Sequence, residues 1–195
     1  MTPATLRILH DEHAALAAML RSLLLLLAQH RREATLPDFT ALRAILFYLD
    51  EFPEQRHHRK ETELLFPRLR QRTAEGAALL DKLDRDHEHS ERAVRELEHA
   101  LLGFEMMGEP RRAAFEQAAE RYVDAYLTHM RHEEHEILPL AERTLTAEDW
   151  AALDAAFGEN RDPLTGHAPD EAYRALFTRI AHLVPAPIGL GPATR

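Results

Sequence analysis

No cysteine occurs in the 195 residues of this chain. Disulfides, zinc ribbons, thiolate-held iron–sulfur clusters and cysteine nucleophiles are all excluded at once. Glycine is scarce, with seven residues, while alanine, leucine, glutamate and arginine dominate, which points to an all-helical protein. Positive charge is in deficit: 24 Lys and Arg against 33 Asp and Glu leave a formal net charge of -9. With no dense basic block either, nucleic acid is not an expected partner. Long apolar runs are also missing. The leucine run from Leu23 to Ala28 is far too short to cross a bilayer, so no membrane association is expected. Met1-Thr2-Pro3 leads straight into an amphipathic segment with Arg7, Asp11 and Glu12, and no secretory leader is legible. A cytoplasmic location is the expectation.

What the chain has in excess is histidine: thirteen residues, clustered. The stretch Arg56-His57-His58-Arg59-Lys60-Glu61-Thr62-Glu63-Leu64-Leu65-Phe66-Pro67 has a counterpart in Thr128-His129-Met130-Arg131-His132-Glu133-Glu134-His135-Glu136-Ile137-Leu138-Pro139. In each, a His is followed four residues later by a Glu, and a Pro closes the pattern six residues after that. Residues i and i+4 lie one above the other on a helix. Each copy therefore presents an imidazole beside a carboxylate, a donor pair suited to a transition-metal ion.

Around these motifs the chain divides into four long helical segments with short connections. Thr2-Pro3 opens the first, which runs to about Arg32. The second spans about Pro37 to Arg72, and Pro53 inside it predicts a kink one turn before His57, because the bond to the Leu49 carbonyl is lost. The third runs from near Thr73–Glu75 to Met107, where Gly108-Glu109-Pro110 interrupts. The fourth runs from Pro110 to Arg143. The fold expected is all-α: an antiparallel up-down-up-down four-helix bundle over residues 1–145. A helical C-terminal extension, 146–195, is expected to pack on it. In that extension Thr146 and Asp149 predict a capped helix ending near Phe157-Gly158, then a loop, a helix over Asp170 to Leu183, and a Pro/Gly tail.

Antiparallel packing makes the heights of the histidines comparable. His13 lies about 19 residues before the end of the first helix and His57 about 20 after the start of the second, so at about 1.5 Å per residue they are level. Glu61 and His87 are level within about two residues, and His87 and His129 within about one. All four helices thus place a metal-type donor at one cross-section. The predicted set is His13, His57, Glu61, His87, His129 and Glu133, two imidazoles for each of two metals with two carboxylates able to bridge. Iron or manganese suits that set, and zinc is a possible substitute. His10, one turn before His13, is an alternative to it. Glu91 is either a seventh ligand or a hydrogen-bond partner of a bound water. His58 is one residue off the face and reads as solvent-facing or as an outer partner of a ligand. His132 with Glu136 offers a second HxxxE register. His30 sits at a helix end, and His89, His99, His135, His167 and His182 read as surface or packing residues. Tyr126 and Tyr122, one and two turns before His129, are either core aromatics or hydroxyls that orient a ligand.

These residues carry a resemblance. Asp11-Glu12-His13, His57 with Glu61 and Leu64-Leu65-Phe66-Pro67, His87, and His129 with Glu133-Glu134 and Pro139 resemble the hemerythrin-like, or HHE cation-binding, family over roughly residues 1 to 145. The resemblance implies a pair of iron ions bridged by Glu61 and Glu133 and by an oxo or hydroxo group, with His13, His57, His87 and His129 as terminal ligands. It implies a protein that binds or reacts with dioxygen, nitric oxide or peroxide, or else one that stores, senses or donates iron. Oxygen-carrying members have a fifth His four residues after the third-helix His, where this chain has Glu91. Their last carboxylate follows its His at i+5, where here it is i+4. The four-His, two-Glu set is more similar to the iron-sensing and nitrosative-repair branches, and favours reactivity or metal exchange over reversible carriage.

Overall fold

The computed structural model describes residues 2–160, 162–165 and 174, and the described residues are helical and contain no strand. Four arms carry the fold. The first is α1, Ala4–Arg32. The second, 39–72, begins with α2, Phe39–Leu49, and ends with α3, Phe66–Arg72. The third is α4, Ala77–Met107. The fourth, 109–144, joins α5, Glu109–His132, to α6, Leu138–Thr144. A shorter helix, α7, Ala147–Phe157, and a 3-10 turn, Pro163–Thr165, follow. The predicted helix over 170–183, the tail beyond it, His167 and His182 lie outside the described residues.

The ends of the arms are set by local chemistry. Asp38, not Pro37, opens the second arm: its carboxylate accepts from the Thr40 and Ala41 amides at 2.7 and 3.2 Å. Thr146 and Asp149 form the predicted capping box, each side chain accepting from the other's backbone amide at 3.2 and 2.9 Å. α4 begins later than predicted, at Ala77, because Gly76 takes a left-handed conformation with φ 75°. A Cβ there would meet Leu140 Cδ2 at 2.9 Å, so the turn brings the chain close against α6.

The second and fourth arms are continuous but not uniform. Between α2 and α3 lie two π-helical stretches, Asp50–His58 and Glu61–Leu65, and between α5 and α6 a third, Glu133–Ile137. Each has a proline as its physical cause. A proline offers no N–H and its ring collides with the carbonyl four residues back. Ahead of Pro67 and Pro139 the helix opens by one residue: the Phe66 amide donates to the Glu61 carbonyl and the Leu138 amide to the Glu133 carbonyl. Pro53 sits inside the first stretch, and the helix is widened where the kink was expected.

The core falls into two parts. One joins Leu16–Leu27 of α1, Ala41–Phe52, Val94–Phe104 of α4 and Phe115–Met130 of α5. The other joins Leu6 and Leu9, Leu65, Phe66 and Leu69, Leu80 and Leu83, Ile137–Ala141, and Trp150, Leu153 and Phe157 of α7. Thr5 fastens α7 to α1, its amide and hydroxyl both donating to Asp154 Oδ1 at 2.7 Å. Between the two apolar parts runs a buried layer of polar side chains: Glu12, His13, His57, His58, Glu61, His87, His129 and Glu133. α1 is the one helix among the described residues long and apolar enough to cross a membrane. Its apolar stripe is spent on the core, and Glu12 and His13 lie on the buried side with it.

Candidate metal centre

The six residues singled out by spacing come together in the polar layer. His13 Nε2 lies 3.1 Å from His57 Nε2, and His87 Nε2 lies 3.0 Å from His129 Nε2. The two carboxylates stand between these pairs. Glu61 turns Oε1 toward His57 Nε2 at 3.3 Å and Oε2 toward His87 Nε2 at 3.5 Å. Glu133 turns Oε2 toward His13 Nε2 at 3.4 Å and Oε1 toward His129 Nε2 at 3.1 Å. Each carboxylate therefore addresses both histidine pairs, one oxygen to each. His13, His57, Glu61 and Glu133 form one set of four donors that could hold an ion, and His58, Glu61, His87 and His129 a second.

The donor set fits a metal on two grounds. All four oxygens of Glu61 and Glu133 are buried without a hydrogen-bond partner, a costly state for a carboxylate in a protein interior unless a cation satisfies it. The nitrogens also face one another at a telling distance. Metal–nitrogen bonds of about 2.1 Å at a right angle place neighbouring nitrogens about 3 Å apart. Without a metal the layer's charges lean on one another. Burial pushes His129 down, but Glu133 and Asp86 outweigh it and lift its pKa to about 10. Burial opposes the charge of His57 as well, and Glu61 and Glu12 again prevail and raise it. Glu133, which burial alone would raise, is held well below the usual carboxylate range by His129.

Three of the four inward imidazoles are aimed by a hydrogen-bond partner at the other nitrogen. His57 Nδ1 meets Glu12 Oε2 at 2.7 Å, His13 Nδ1 meets Glu134 Oε1 at 3.2 Å, and His87 Nδ1 meets Thr62 Oγ1 at 2.7 Å. His129 Nδ1 lies 3.6 Å from Asp86 Oδ2, an ion-pair distance beyond a hydrogen bond. His10 is excluded from the centre by position: it is half-exposed and lies 3.8 Å from Glu134 on the rim. His132 pairs outside with Glu136 at 2.9 Å. Glu91 is not brought in. α4 stays a regular α-helix there, Glu91 faces solvent, and Arg95 donates to it at 2.6 Å.

Of the two readings of His58, solvent-facing or an outer partner of a ligand, the structure removes the first. His58 is buried, with its ring stacked on His87 at 4.1 Å. The reading that turned it outward assumed an α-helix; the wider π turn over Asp50–His58 rotates less per residue and keeps His57 and His58 both inside. Burial first, then the neighbouring histidines, hold its pKa well below the ordinary value, so it is neutral. Its Nε2 meets the Tyr126 hydroxyl at 2.7 Å and its Nδ1 meets Glu54 Oε2 at 3.0 Å. Glu54 Oε1 accepts from Ser90 at 2.6 Å and from Tyr122 at 3.2 Å. Both tyrosines are thus buried and tied to the layer by their hydroxyls. A cavity of about 370 Å³ opens between α4 and α5 on this side, with His58, Ser90, Tyr122, Tyr126 and His129 in its wall.

A hemerythrin HHE cation-binding domain model matches residues 4–141. The chain belongs to the hemerythrin HHE cation-binding family. Comparison with curated proteins and with solved structures gave no match. The family match ends within α6, so α7 and the residues after it lie beyond the domain that defines an HHE protein.

Glu54 gives this HHE chain a pH signature. Burial pushes its carboxyl up to about 7, against the hydrogen bonds from Ser90 and Tyr122 that pull it down. A carboxyl raised on folding contributes stability that is fully present below its unfolded value, near 4.5, and is lost as pH rises through about 7. In metal-free protein, Glu54→Gln is therefore expected to gain stability relative to the parent as pH rises from 5 to 8, by at most about 3 kcal/mol. Denaturant titrations across that range check it, and a difference that stays flat with pH refutes the assignment.

Proposed function

We propose that the centre holds two iron ions, one at each histidine pair, and that the protein binds or reacts with dioxygen, nitric oxide or peroxide in sensing or detoxification. The observation that carries this reading is the division of each carboxylate between two histidine pairs, with all four oxygens buried and unpartnered. His13 and His57 would hold one ion and His87 and His129 the other, with Glu61 and Glu133 spanning both. Manganese or zinc would satisfy the same donors. When bound there, a reduced iron pair would supply the electrons and open positions that a small oxidising ligand needs. The chain's own residues do the rest. Glu12, Glu134 and Thr62 fix the imidazoles, the apolar parts above and below exclude water, and the cavity beside His129 admits a small molecule. His58, gripped between Tyr126 and Glu54, lines the entry side as a neutral imidazole. The level placement of the histidines supports an antiparallel up-down-up-down bundle over 1–145, carrying 146–195 as an extension. The acidic surface and the absence of a basic block support a protein that works in the cytoplasm without nucleic acid or membrane.

The test uses chain purified without oxygen and without added metal. Elemental analysis is expected to find about two irons per chain. Addition of dioxygen or nitric oxide to the reduced protein is expected to change its visible absorption while the iron stays bound through a desalting column. Iron that leaves to a chelator with no spectral response to either gas would assign the chain to iron storage, sensing or donation instead.

A further inference from the structure

The described residues directly after α7, 158–160 and 162–165, return to the metal centre. Gly158 ends the helix, and the Asn160 amide donates to the Phe157 carbonyl at 3.0 Å, turning the chain back over α1. Asn160 and Asp162 are both buried, 3% and 7% exposed, although neither sits in a long helix. Asn160 Nδ2 donates to Glu12 Oε2 at 3.0 Å. That same oxygen receives His57 Nδ1 at 2.7 Å. Asp162 is held in turn: its Oδ2 accepts from the Tyr48 hydroxyl at 2.7 Å, and its Oδ1 and backbone carbonyl accept from the Leu164 and Thr165 amides at 2.9 and 3.0 Å. Glu12, Tyr48, His57, Asn160 and Asp162 enclose a space of only about 10 Å³, room for about one water. The other flank, beside His129, carries about 370 Å³.

We propose that residues 158–160 and 162–165 form a positioning strap for the metal centre, in which Asn160 fixes the Glu12 carboxylate that orients His57, and Tyr48 pins the strap through Asp162. This rests on the metal-centre reading above. The strap is contributed from outside the segment that the family domain covers, and it makes the two metal positions unequal: the His13–His57 side is closed by the strap, and the His87–His129 side faces the cavity. The chemistry is that of an outer hydrogen bond on a ligating imidazole. A carboxylate that already accepts from Asn160 is held at one angle, so the imidazole it grips is held at one angle too. Loss of such a partner typically lowers metal affinity about 10- to 100-fold.

Ferrous iron is the probe, with release to a strong chelator followed under anaerobic conditions. Asn160→Ala is expected to release one of the two irons about tenfold faster than the parent. Tyr48→Phe, which loosens the strap without touching Glu12, is expected to give a smaller acceleration of the same phase. Cobalt(II)-loaded Asn160→Ala is expected to show shifted visible bands while the metal-free melting temperature stays near that of the parent. Asn160→Ala and Tyr48→Phe that both release iron at the parental rate, with unshifted cobalt bands, overturn the strap's role. So does a melting temperature that falls equally with and without metal at unchanged release. His57→Ala is the control for the underlying reading: if it too keeps both irons at the parental rate, the metal-centre assignment itself fails, not only the strap.

Discussion

Chain carrying both Glu61→Leu and Glu133→Leu is expected to hold no tightly bound metal, and yet to be at least as stable as the parent when both are metal-free at pH 8. The two halves of this expectation have one cause. The carboxylates are buried to 0% and 1% exposure, and none of their oxygens has a hydrogen-bond partner. Each divides its oxygens between the two histidine pairs, so removing both removes the negative charge from both metal positions together. Four imidazoles without a carboxylate are a poor home for a hard cation such as iron. In the empty protein those carboxylates are offset only by the imidazoles beside them, and taking both partners of such a pair out of water costs several kcal/mol per ion. Replacing buried ionic groups by apolar residues of similar volume is typically neutral or stabilising by about 1–4 kcal/mol. Elemental analysis reads the first half and denaturant unfolding the second. Metal at parental levels would show that the donor set is wrong. A metal-free variant several kcal/mol less stable would show that the carboxylates are satisfied without an ion.

Phe104→Ala is expected to act the other way, costing about 3–5 kcal/mol of stability and roughly 10 °C in melting temperature while leaving metal content unchanged. Phe104 is fully buried at the far end of α4. Phe39 meets its ring edge-on at 5.0 Å, Phe115 lies at 5.9 Å, and the Arg112 guanidinium covers it at 5.2 Å. Truncation leaves a cavity that three elements, anchored separately, can close only in part. The residue is 17 positions beyond His87, about 25 Å along the helix, too far to share a partner with the centre. Thermal unfolding with and without iron, beside elemental analysis, checks both parts; a loss of iron from the folded variant would contradict the separation.

The helical plan and most of the centre were legible because both obey a period. Level histidines on four long amphipathic segments are a one-dimensional pattern, and His13, His57, Glu61, His87, His129 and Glu133 all fell inside as that pattern requires. What it missed broke the period or had none. His58 was read as off the face on α-helical geometry, but Pro53 opens the helix into a π stretch, and the error of one residue per turn is enough to bring it in. The same device explains the Pro that follows each Glu by six residues: Pro67 and Pro139 widen the helix at the two carboxylates. The signal was in the sequence as a repeated spacing, but its mechanism was not. Glu91 failed for the opposite reason: α4 has no proline and no widened turn near it, so the regular helix carries Glu91 out to Arg95. Asn160 has no role legible in the sequence, since a hydrogen bond spanning 148 residues has no period to betray it.

The polar layer that separates the two apolar parts of the core also bears on how the protein comes apart. An uninterrupted core melts as one body, because every side chain leans on the next. Here the apolar continuity is cut at the level of the histidines, and Leu6, Phe66, Leu83, Ile137 and Trp150 pack on one side of the cut while Leu23, Ile45, Phe104 and Phe115 pack on the other. Without an ion the two sides are joined only by the pairing of imidazoles with carboxylates, and each side is expected to open at its own free energy, as separate units in amide hydrogen exchange. Two bound ions would together touch all four arms and are expected to couple the two units into a single cooperative transition. Occupancy of the centre would then set the size of the piece that unfolds.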